Sequence, residues 1–315
     1  MKHERKTQKI SLSSKILIIT LSIIFIIGVG LFIGFKYIFG DLSINKITDN
    51  SQDLGISEEA EDKYRDKQIE NIALFGLDGR NEHVDEGRSD SLMVASINKE
   101  TGKLKLISIL RDSYVAIEGY PNQKINHAYA YGGPVLAIKT INQNFNLNIK
   151  NYVSLNFSQF TTVIDTIGGI DIYITEQELN EINVQSPADK LTNYGEVHLN
   201  GEQTLAYSRI RKIDSDNMRA DRQKNVIQAI IKKLKSNNSN YVSIIKTILP
   251  SVETSFQYND IMEYMTILSN KELEIEETTV PGDEENSQGG MFEGAWVWRY
   301  DLNKASDRIH QFIYS

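Results

Sequence analysis

The chain has 315 residues, a formal net charge of −8 and no cysteine. The absence of cysteine excludes thiol catalysis, thiolate metal sites and disulfide bonds. Residues 1–40 carry six basic side chains and one acidic side chain, a net of +5, so the other 275 residues carry −13. A region this acidic lacks the basic surface that direct binding of nucleic acid requires.

One long apolar run lies near the N-terminus. Residues 16–35, ILIITLSIIFIIGVGLFIGF, contain no charge and lie between Lys15 and Lys36. Twenty helical residues span roughly 30 Å, the thickness of a bilayer core, and the preceding basic residues place the N-terminus in the cytoplasm. We predict a cytoplasmic tail (1–15), a transmembrane helix (16–35), an extracellular linker (36–68) and an extracellular domain (69–315). A cleaved signal peptide is disfavoured, because the run is long and no small-x-small cleavage site follows.

Apolar runs and alternation predict the strands of the domain. The predicted strands, in chain order, are IENIALFGL, DSLMVASINK, KLKLISIL, SYVAI, YVSLNF, GIDIYI, EIEETTVPG and AWVWRY. Helical periodicity and caps predict helices at 134–145, 158–167, 200–207 and 216–234, a further helix to Leu268 interrupted at Pro250, and a terminal helix capped by Asp301. The caps of the second and third helices are Ser158 and the Asn200–Gln203 capping box. This interleaving predicts an α/β fold, a mixed central β-sheet flanked by helices, preceded by one transmembrane helix.

Two carboxylates flank one predicted loop. Asp78 follows the first strand in GLDGR, and Asp90 begins the second strand after GRS. Because Mg²⁺ binds through one or two carboxylates and takes its other ligands from water and phosphate, converging Asp78 and Asp90 side chains indicate a metal site. The alternative is that each aspartate closes a turn or pairs with Arg80 or Arg88. The pair Arg111-Asp112, after LISIL, is a further candidate for the same site.

The stretch LAYSRIRKIDSDNMRADRQ, residues 205–223, contains four arginines within an acidic chain. A planar guanidinium binds two phosphate oxygens at once, which lysine cannot do. Helical spacing predicts that Arg219, Arg222 and Gln223 share one face. Arg209 and Arg211 face together if their segment is extended. These groups, placed opposite a dicarboxylate site, indicate a pyrophosphate ligand; the alternative is a solvated ion-pair network with Asp214, Asp216 and Asp221.

Seven motifs occur in order between residues 69 and 235: NIALFGLDGR, GRSDSLMV, SILRDSYV, KINHAYAYGGP, IGGIDI, HLNGEQTLAYSRIRK and RADRQ. Together with the N-terminal anchor, they resemble the LytR-CpsA-Psr family of Gram-positive cell-wall enzymes. Two positions depart from the family pattern. Leu110 stands where proline usually precedes the Arg-Asp pair, and Asn200 stands where aspartate is frequent. Neither departure removes a charged site residue, and asparagine caps a helix as well as aspartate does.

The resemblance implies transfer of an anionic glycopolymer (teichoic acid, capsule or secondary wall polysaccharide) from undecaprenyl pyrophosphate to peptidoglycan, forming a phosphodiester bond. It implies that Asp78 and Asp90 hold Mg²⁺ or Mn²⁺ and act in catalysis with Arg88 and Arg111. The residues matched to pyrophosphate binding are Arg88, Arg111, Arg209, Arg211, Arg219 and Gln223. The apolar helix face at 226–234 is then expected to wall a slot for the prenyl tail. Arg222 has no match and is expected to matter less for activity than Arg219.

The expected partners are the lipid-linked polymer, peptidoglycan and the membrane, without nucleic acid, and the expected location is the cell membrane. Two other functions remain open at this point. The same site could hydrolyse polyprenyl pyrophosphates with water as acceptor, or the domain could bind wall polymer without catalysis. Transcriptional regulation is disfavoured by the external topology and the charge of −13. The segment 176–196 is expected to contribute to recognition of the polymer, whose identity the sequence leaves open.

Overall fold

The computed structural model describes these parts of the chain: 47–48, 50–65, 68–78, 87–236, 244, 247–249, 252–257, 260–261, 263–264, 266–267 and 274–315. The predicted transmembrane helix at 16–35 and part of the predicted helix that runs to Leu268 lie outside these residues. Within the described part of that second segment, the helix prediction is wrong at Glu253–Thr254, which form a short strand because they pair with Val153 and Ser154. Within the described ranges, no helix is both long and apolar enough to span a bilayer.

The described strands and helices follow the interleaved order that the sequence predicts. The strands are β1 (Ile69–Leu77), β2 (Ser89–Asn98), β3 (Leu104–Ile109), β4 (Tyr114–Ile117), β5 (Tyr120–Lys124), β6 (Asn151–Asn156), β7 (Ile170–Ile174), β8 (Gly195–Leu199), β9 (Glu253–Thr254), β10 (Ile275–Val280), β11 (Gln288–Phe292) and β12 (Ala295–Arg299). The helices are α1 (Glu58–Arg65), α2 (His127–Phe145), α3 (Phe157–Thr166), α4 (Glu176–Gln185), α5 (Gly201–Ser208), α6 (Asp216–Ser236) and α7 (Leu302–Tyr314).

The central sheet has the order β10-β3-β2-β1-β6-β9. Strand β2 is antiparallel to both β1 and β3, whereas β6 is parallel to β1 and β10 is parallel to β3. The sheet is therefore mixed, as predicted. All six residues of β3 are buried, which is typical of a strand covered on both faces.

Helices cover both faces of this sheet. On one face, α2 and α7 pack against the first three strands through residues such as Phe75, Ile141 and Ile309. On the other face, Ile227 and Ile231 of α6 join a second apolar cluster with strand residues of β1 to β3. The result is a three-layer α/β arrangement, which confirms the predicted class of fold.

The apolar core also includes residues of the predicted linker. Leu54 and Ala60 are fully buried in the cluster beneath α2, and Ile56 is 6% exposed. The Nδ2 of Asn142 donates to the carbonyl of Leu54 at 2.8 Å, which ties this segment to α2. The folded region therefore extends to the N-terminal side of β1.

Helix caps account for the agreement and the differences in helix boundaries. The capping box of Asn200 and Gln203 is present, and Asp301 caps α7. The predicted cap Ser158 is wrong, because Asn156 at the end of β6 accepts from the Gln159 backbone N–H and begins α3 two residues earlier. Helix α2 begins at His127 rather than at 134. Its φ,ψ angles are non-helical at Gly132 and Gly133. The apolar periodicity of the sequence is continuous only after these glycines, so it predicted only the second half of the helix.

Candidate active site

The adjacent ends of β1 and β2 place both predicted aspartates at one end of the central sheet. The Asp78 backbone N–H donates to the Arg88 carbonyl at 3.0 Å, so these two residues lie side by side. The register shifts at Gly76 and Leu77, which leaves Asp90 as the extra residue of a β-bulge. A bulge re-aims a side chain away from the strand pattern and is frequent beside active sites.

Asp90 lies between two arginines from distant parts of the chain. Its Oδ1 accepts from Nη1 of Arg111 at 2.5 Å, and its Oδ2 lies 3.9 Å from Nη2 of Arg219. Arg111 follows β3, whereas Arg219 lies in the first turn of α6. One turn further along α6, Oε1 of Gln223 accepts from Oγ of Ser91 at 2.9 Å. The structure therefore brings four predicted site residues together, and we refer to Asp90, Arg111, Arg219 and Gln223 as the polar cluster.

Arg219 carries a buried charge. The residue is 8% exposed. Burial, followed by the positive charges of Arg211 and Arg111, lowers the pKa of Arg219 to about 10, whereas Asp90 acts in the opposite direction. A buried charge without a sufficient counter-ion costs free energy. An oxyanion bound at this position supplies that counter-ion, so the electrostatics favour an anionic ligand.

Arg222 belongs to a different environment, which corrects the prediction that it shares a face with Arg219 and Gln223. It is 2% exposed, and its Nε donates to Oε1 of Glu178 in α4 at 2.7 Å. Its Nη1 donates to the Ile210 carbonyl and to Asp214, both at 3.2 Å. Arg222 therefore holds α6 to α4 and to the loop before α6, and Asp221 pairs with Lys224 instead.

The other predicted arginines lie outside the polar cluster. The guanidinium of Arg209 stacks over the ring of Phe157, with its carbon 4.4 Å from the ring centroid. Arg211 has an exposed side chain whose Nη2 lies 3.5 Å from Oδ1 of Asp216. Arg88 is exposed, immediately before β2. In the described part of the chain, no hydrogen bond or ion pair joins any of these three side chains to Asp90.

An apolar cavity of about 380 Å³ adjoins the polar cluster. Its aliphatic and aromatic wall comes from β1, β6, α3 and α6, and includes Leu74, Val153, Phe160, Val226, Ile227 and Ile230. Asp90, Ser91, Arg219 and Gln223 form its polar end. The first half of the predicted apolar face at 226–234 lines this cavity, whereas Leu234 packs into the core.

A second pocket, which we call the polar pocket, is much smaller, at about 20 Å³. It shares Asp90, Ser91, Arg219 and Gln223 with the apolar cavity. Its further lining residues include Ser108, Arg111, Asp112 and Trp298. The two spaces therefore meet at one shared polar rim.

Asp78 and Asp90 suit a cation that is shared between protein and substrate. Within the described ranges, no group of three or more His, Asp or Glu side chains could hold a metal. Mg²⁺ takes one or two carboxylates and completes its coordination with water and phosphate oxygens. The donor set therefore fits a cation that binds together with a pyrophosphate, and it does not fit a closed metal site built by the protein alone.

Two residues that contact the site were not predicted from the sequence. Lys124 of β5 lies with its Nζ 2.7 Å from Oδ1 of the buried Asp112. Trp298 of β12 donates its backbone N–H to the Asp112 carbonyl at 2.9 Å. The Arg-Asp motif pointed to Asp112, but no local pattern links a strand near the C-terminus to the end of β3.

The domain is a three-layer α/β fold with an apolar cavity, and arginines and an aspartate lie at the polar end of that cavity. This arrangement is typical of a protein that binds a ligand with an anionic head group and an apolar tail. The family model LytR_cpsA_psr matches residues 37–311. A relative in Bacillus mycoides (strain KBAB4), named polyisoprenyl-teichoic acid–peptidoglycan teichoic acid transferase TagU, is 34% identical over 240 residues, which cover 75% of this chain and 74% of the relative. The chain belongs to the LytR-CpsA-Psr family.

Solved structures share the fold. TagV of B. subtilis is 26% identical with a TM-score of 0.64, covering 79% of this chain and 98% of TagV. TagT of B. subtilis, solved with bound octaprenyl pyrophosphate lipid, has a TM-score of 0.62 at 22% identity and covers 88% of this chain and 98% of TagT. The likeness to TagT shows the fold alone.

Proposed function

We propose that this protein transfers an anionic glycopolymer from an undecaprenyl-pyrophosphate carrier to peptidoglycan and forms a phosphodiester bond. The observation that carries the proposal is the position of the polar cluster at the end of the apolar cavity. A prenyl chain is apolar and its pyrophosphate is anionic, so the two spaces match the two parts of the carrier. The relatives named as teichoic acid transferases support the same function.

The reaction follows from the charges of the site. The acceptor hydroxyl oxygen attacks the phosphorus nearest the sugar, and a new P–O bond forms. The bond from that phosphorus to the bridging oxygen breaks, its electron pair leaves with undecaprenyl phosphate, and the hydroxyl proton is lost to water. Negative charge on the equatorial and bridging oxygens is stabilised by guanidinium groups held in place in advance, namely Arg111 and Arg219.

Asp78 and Asp90 are proposed to be the residues that would hold Mg²⁺ when substrate is bound, where the ion would supply positive charge toward the pyrophosphate. Asp90 has a second role in this scheme. Its carboxylate accepts from Arg111 at 2.5 Å and lies 3.9 Å from Nη2 of Arg219. Arg88, Arg209 and Arg211 are proposed to contact the outer phosphate oxygens.

The carrier is a membrane lipid, so we propose that residues 16–35 anchor the chain in the cell membrane of a Gram-positive bacterium, with the catalytic domain outside. Protease added to intact cells stripped of their wall is expected to degrade the region 41–315. Protection of that region would contradict this topology.

A soluble polyprenyl pyrophosphate is expected to raise the melting temperature of the detergent-solubilised chain. Ligand that binds only the folded state stabilises it by roughly 2.7 kcal/mol at a hundred times its dissociation constant. With geranylgeranyl pyrophosphate as the probe, Mg²⁺ is expected to enlarge the shift, and Asp78→Asn is expected to remove only the Mg²⁺-dependent part. Asp90→Ala is expected to lose more, because it also leaves Arg111 without its carboxylate.

The matched control is Asp171→Asn, which changes an exposed carboxylate of β7 paired with His198. This variant is expected to keep the full Mg²⁺ dependence. An Mg²⁺ response in Asp78→Asn equal to that of the wild type would place the metal elsewhere. Absence of any shift with the wild-type chain would contradict the proposed function.

A further inference from the structure

The residues that line the polar pocket include several buried hydrogen-bonding groups without partners. Four buried side-chain atoms in its lining residues have no hydrogen-bond partner: Oγ of Ser108, Nε of Arg111, Nε of Arg219 and Nε1 of Trp298. Oδ2 of Asp112 lies 3.6 Å from Nε of Arg111, which is beyond hydrogen-bond distance. An arginine Nε–H and an indole N–H can only donate. The group that satisfies them must therefore be an acceptor.

The size of the polar pocket suits an oxygen atom as that acceptor. A space of about 20 Å³ accommodates one water-sized atom, so a phosphoryl group can place one of its oxygens there. Buried N–H groups without partners are costly, and a negatively charged oxygen satisfies several of them at once. The pocket thus fits one non-bridging phosphoryl oxygen.

The arrangement of the two spaces indicates which phosphoryl group this is. The apolar cavity and the polar pocket share Asp90, Ser91, Arg219 and Gln223, whereas Arg111 and Trp298 line only the polar pocket. With the prenyl tail in the cavity, the phosphate bonded to the tail lies at the shared rim. The next phosphate, which is bonded to the sugar, lies on the side of Arg111 and Trp298. That is the phosphoryl group transferred in the proposed reaction.

We propose that the indole N–H of Trp298, together with Nε–H of Arg111 and of Arg219, forms an oxyanion hole for one non-bridging oxygen of the transferred phosphoryl group. This inference rests on the proposed function and adds a catalytic residue to it. The position of the indole is fixed by backbone contacts: Trp298 bonds to Asp112 at 2.9 Å and forms a β-bridge with Ser113. Trp296, two residues earlier, packs edge-on against Trp298 with ring centroids 5.3 Å apart.

Trp298→Phe tests the donor because it keeps an aromatic ring and removes the N–H. The value of kcat/KM for transfer is expected to fall roughly 10- to 100-fold, the effect of losing one hydrogen bond to a charged group. The control is Trp296→Phe, which removes an indole of the same strand that is 37% exposed. This control is expected to retain wild-type kcat/KM. Equal losses in the two variants would overturn the proposal, because the hairpin would then act only through its packing.

A second measurement avoids the question of whether Trp298→Phe folds. The chain has two tryptophans, so Trp296→Phe leaves a single indole N–H resonance in the ¹⁵N-labelled protein. Geranylgeranyl pyrophosphate is expected to shift this resonance downfield. The other indole resonance of the wild-type protein, which the Trp296→Phe spectrum assigns to Trp296, is expected to stay in place. If the ligand raises the melting temperature but leaves the Trp298 resonance unmoved, the oxyanion hole is wrong and the proposed function stands. If the ligand does not raise the melting temperature at all, the proposed function itself fails.

Discussion

Arg219→Gln is expected to abolish most transfer activity while leaving the fold intact. Removing a preorganised donor to a developing charge lowers the rate by about 100- to 1,000-fold, and Arg219 supplies a full charge in addition. The folded protein is not expected to suffer. A base whose pKa is lower in the folded than in the unfolded state costs stability at every pH below its folded pKa, here about 10. Glutamine removes this cost, so the free energy of unfolding at pH 7 is expected to be unchanged or higher.

The control for Arg219→Gln is a different substitution at the same position. Arg219→Lys keeps the charge and loses the planar fork, so it is expected to retain only part of the activity and of the melting shift with geranylgeranyl pyrophosphate. Both variants leave Asp90 with Arg111 as its partner. Wild-type activity and ligand shift in Arg219→Lys would mean that recognition at this position needs charge alone.

Arg222→Ala, three residues along the same helix, is expected to have the opposite phenotype. It removes the partner of Glu178, which is 8% exposed, and of Asp214. Breaking a buried ion pair by removing one partner typically costs about 3–5 kcal/mol, because the remaining charge is left uncompensated. We expect the free energy of unfolding in urea to fall by about that amount, and activity to fall only with the folded fraction.

The comparison for Arg222→Ala is Arg211→Ala, since the Arg211 side chain is 42% exposed and its contact with Asp216 is 3.5 Å long. Exposed pairs contribute about 0–1 kcal/mol, so Arg211→Ala is expected to unfold close to the wild type. A stability of Arg222→Ala within 1 kcal/mol of the wild type would show that the contacts to α4 and the loop do not hold α6 in place.

Arg219 and Arg222 lie in different environments, which shows that helical spacing alone does not predict which residues contact the site. Successive residues of an α-helix are about 100° apart. Arg222 therefore lies about 60° to one side of Arg219, and Gln223 lies about 40° to the other. Side chains spread over such an angle can contact two different parts of the protein. Here Arg222 contacts α4 through the buried Glu178, whereas Arg219 and Gln223 lie in the polar cluster. Nothing within 205–223 specifies the contact with α4.

Elements with strong local patterns were predictable from the sequence. The buried runs of β1 to β3, the alternation of β7 and the apolar stripe of α6 are each determined by residues a few positions apart. Asn200 and Asp301 act as caps through contacts within three residues. The site residues Asp78, Asp90 and Arg111 could be named for the same reason, because each lies at or near the end of one of these strands.

Long-range pairing accounts for what the sequence did not reveal. The bulge at Asp90 exists only in the register between β1 and β2. Trp298 reaches the site because β12 bridges to Ser113 after β3. The sequence of β12, AWVWR, alternates as any half-buried strand does and does not name its partner. The polar pocket therefore became recognisable only from the assembled structure.

The most direct test of the central claim follows the fate of the lipid phosphate. The purified full-length chain is incubated with a short prenyl-pyrophosphate-linked disaccharide, Mg²⁺ and peptidoglycan, and products are identified by ³¹P NMR and mass spectrometry. The proposed function predicts release of prenyl monophosphate that depends on peptidoglycan, together with a new phosphodiester between disaccharide and glycan. Release of prenyl monophosphate at the same rate without peptidoglycan, and no phosphodiester with it, would contradict the account and identify a pyrophosphatase.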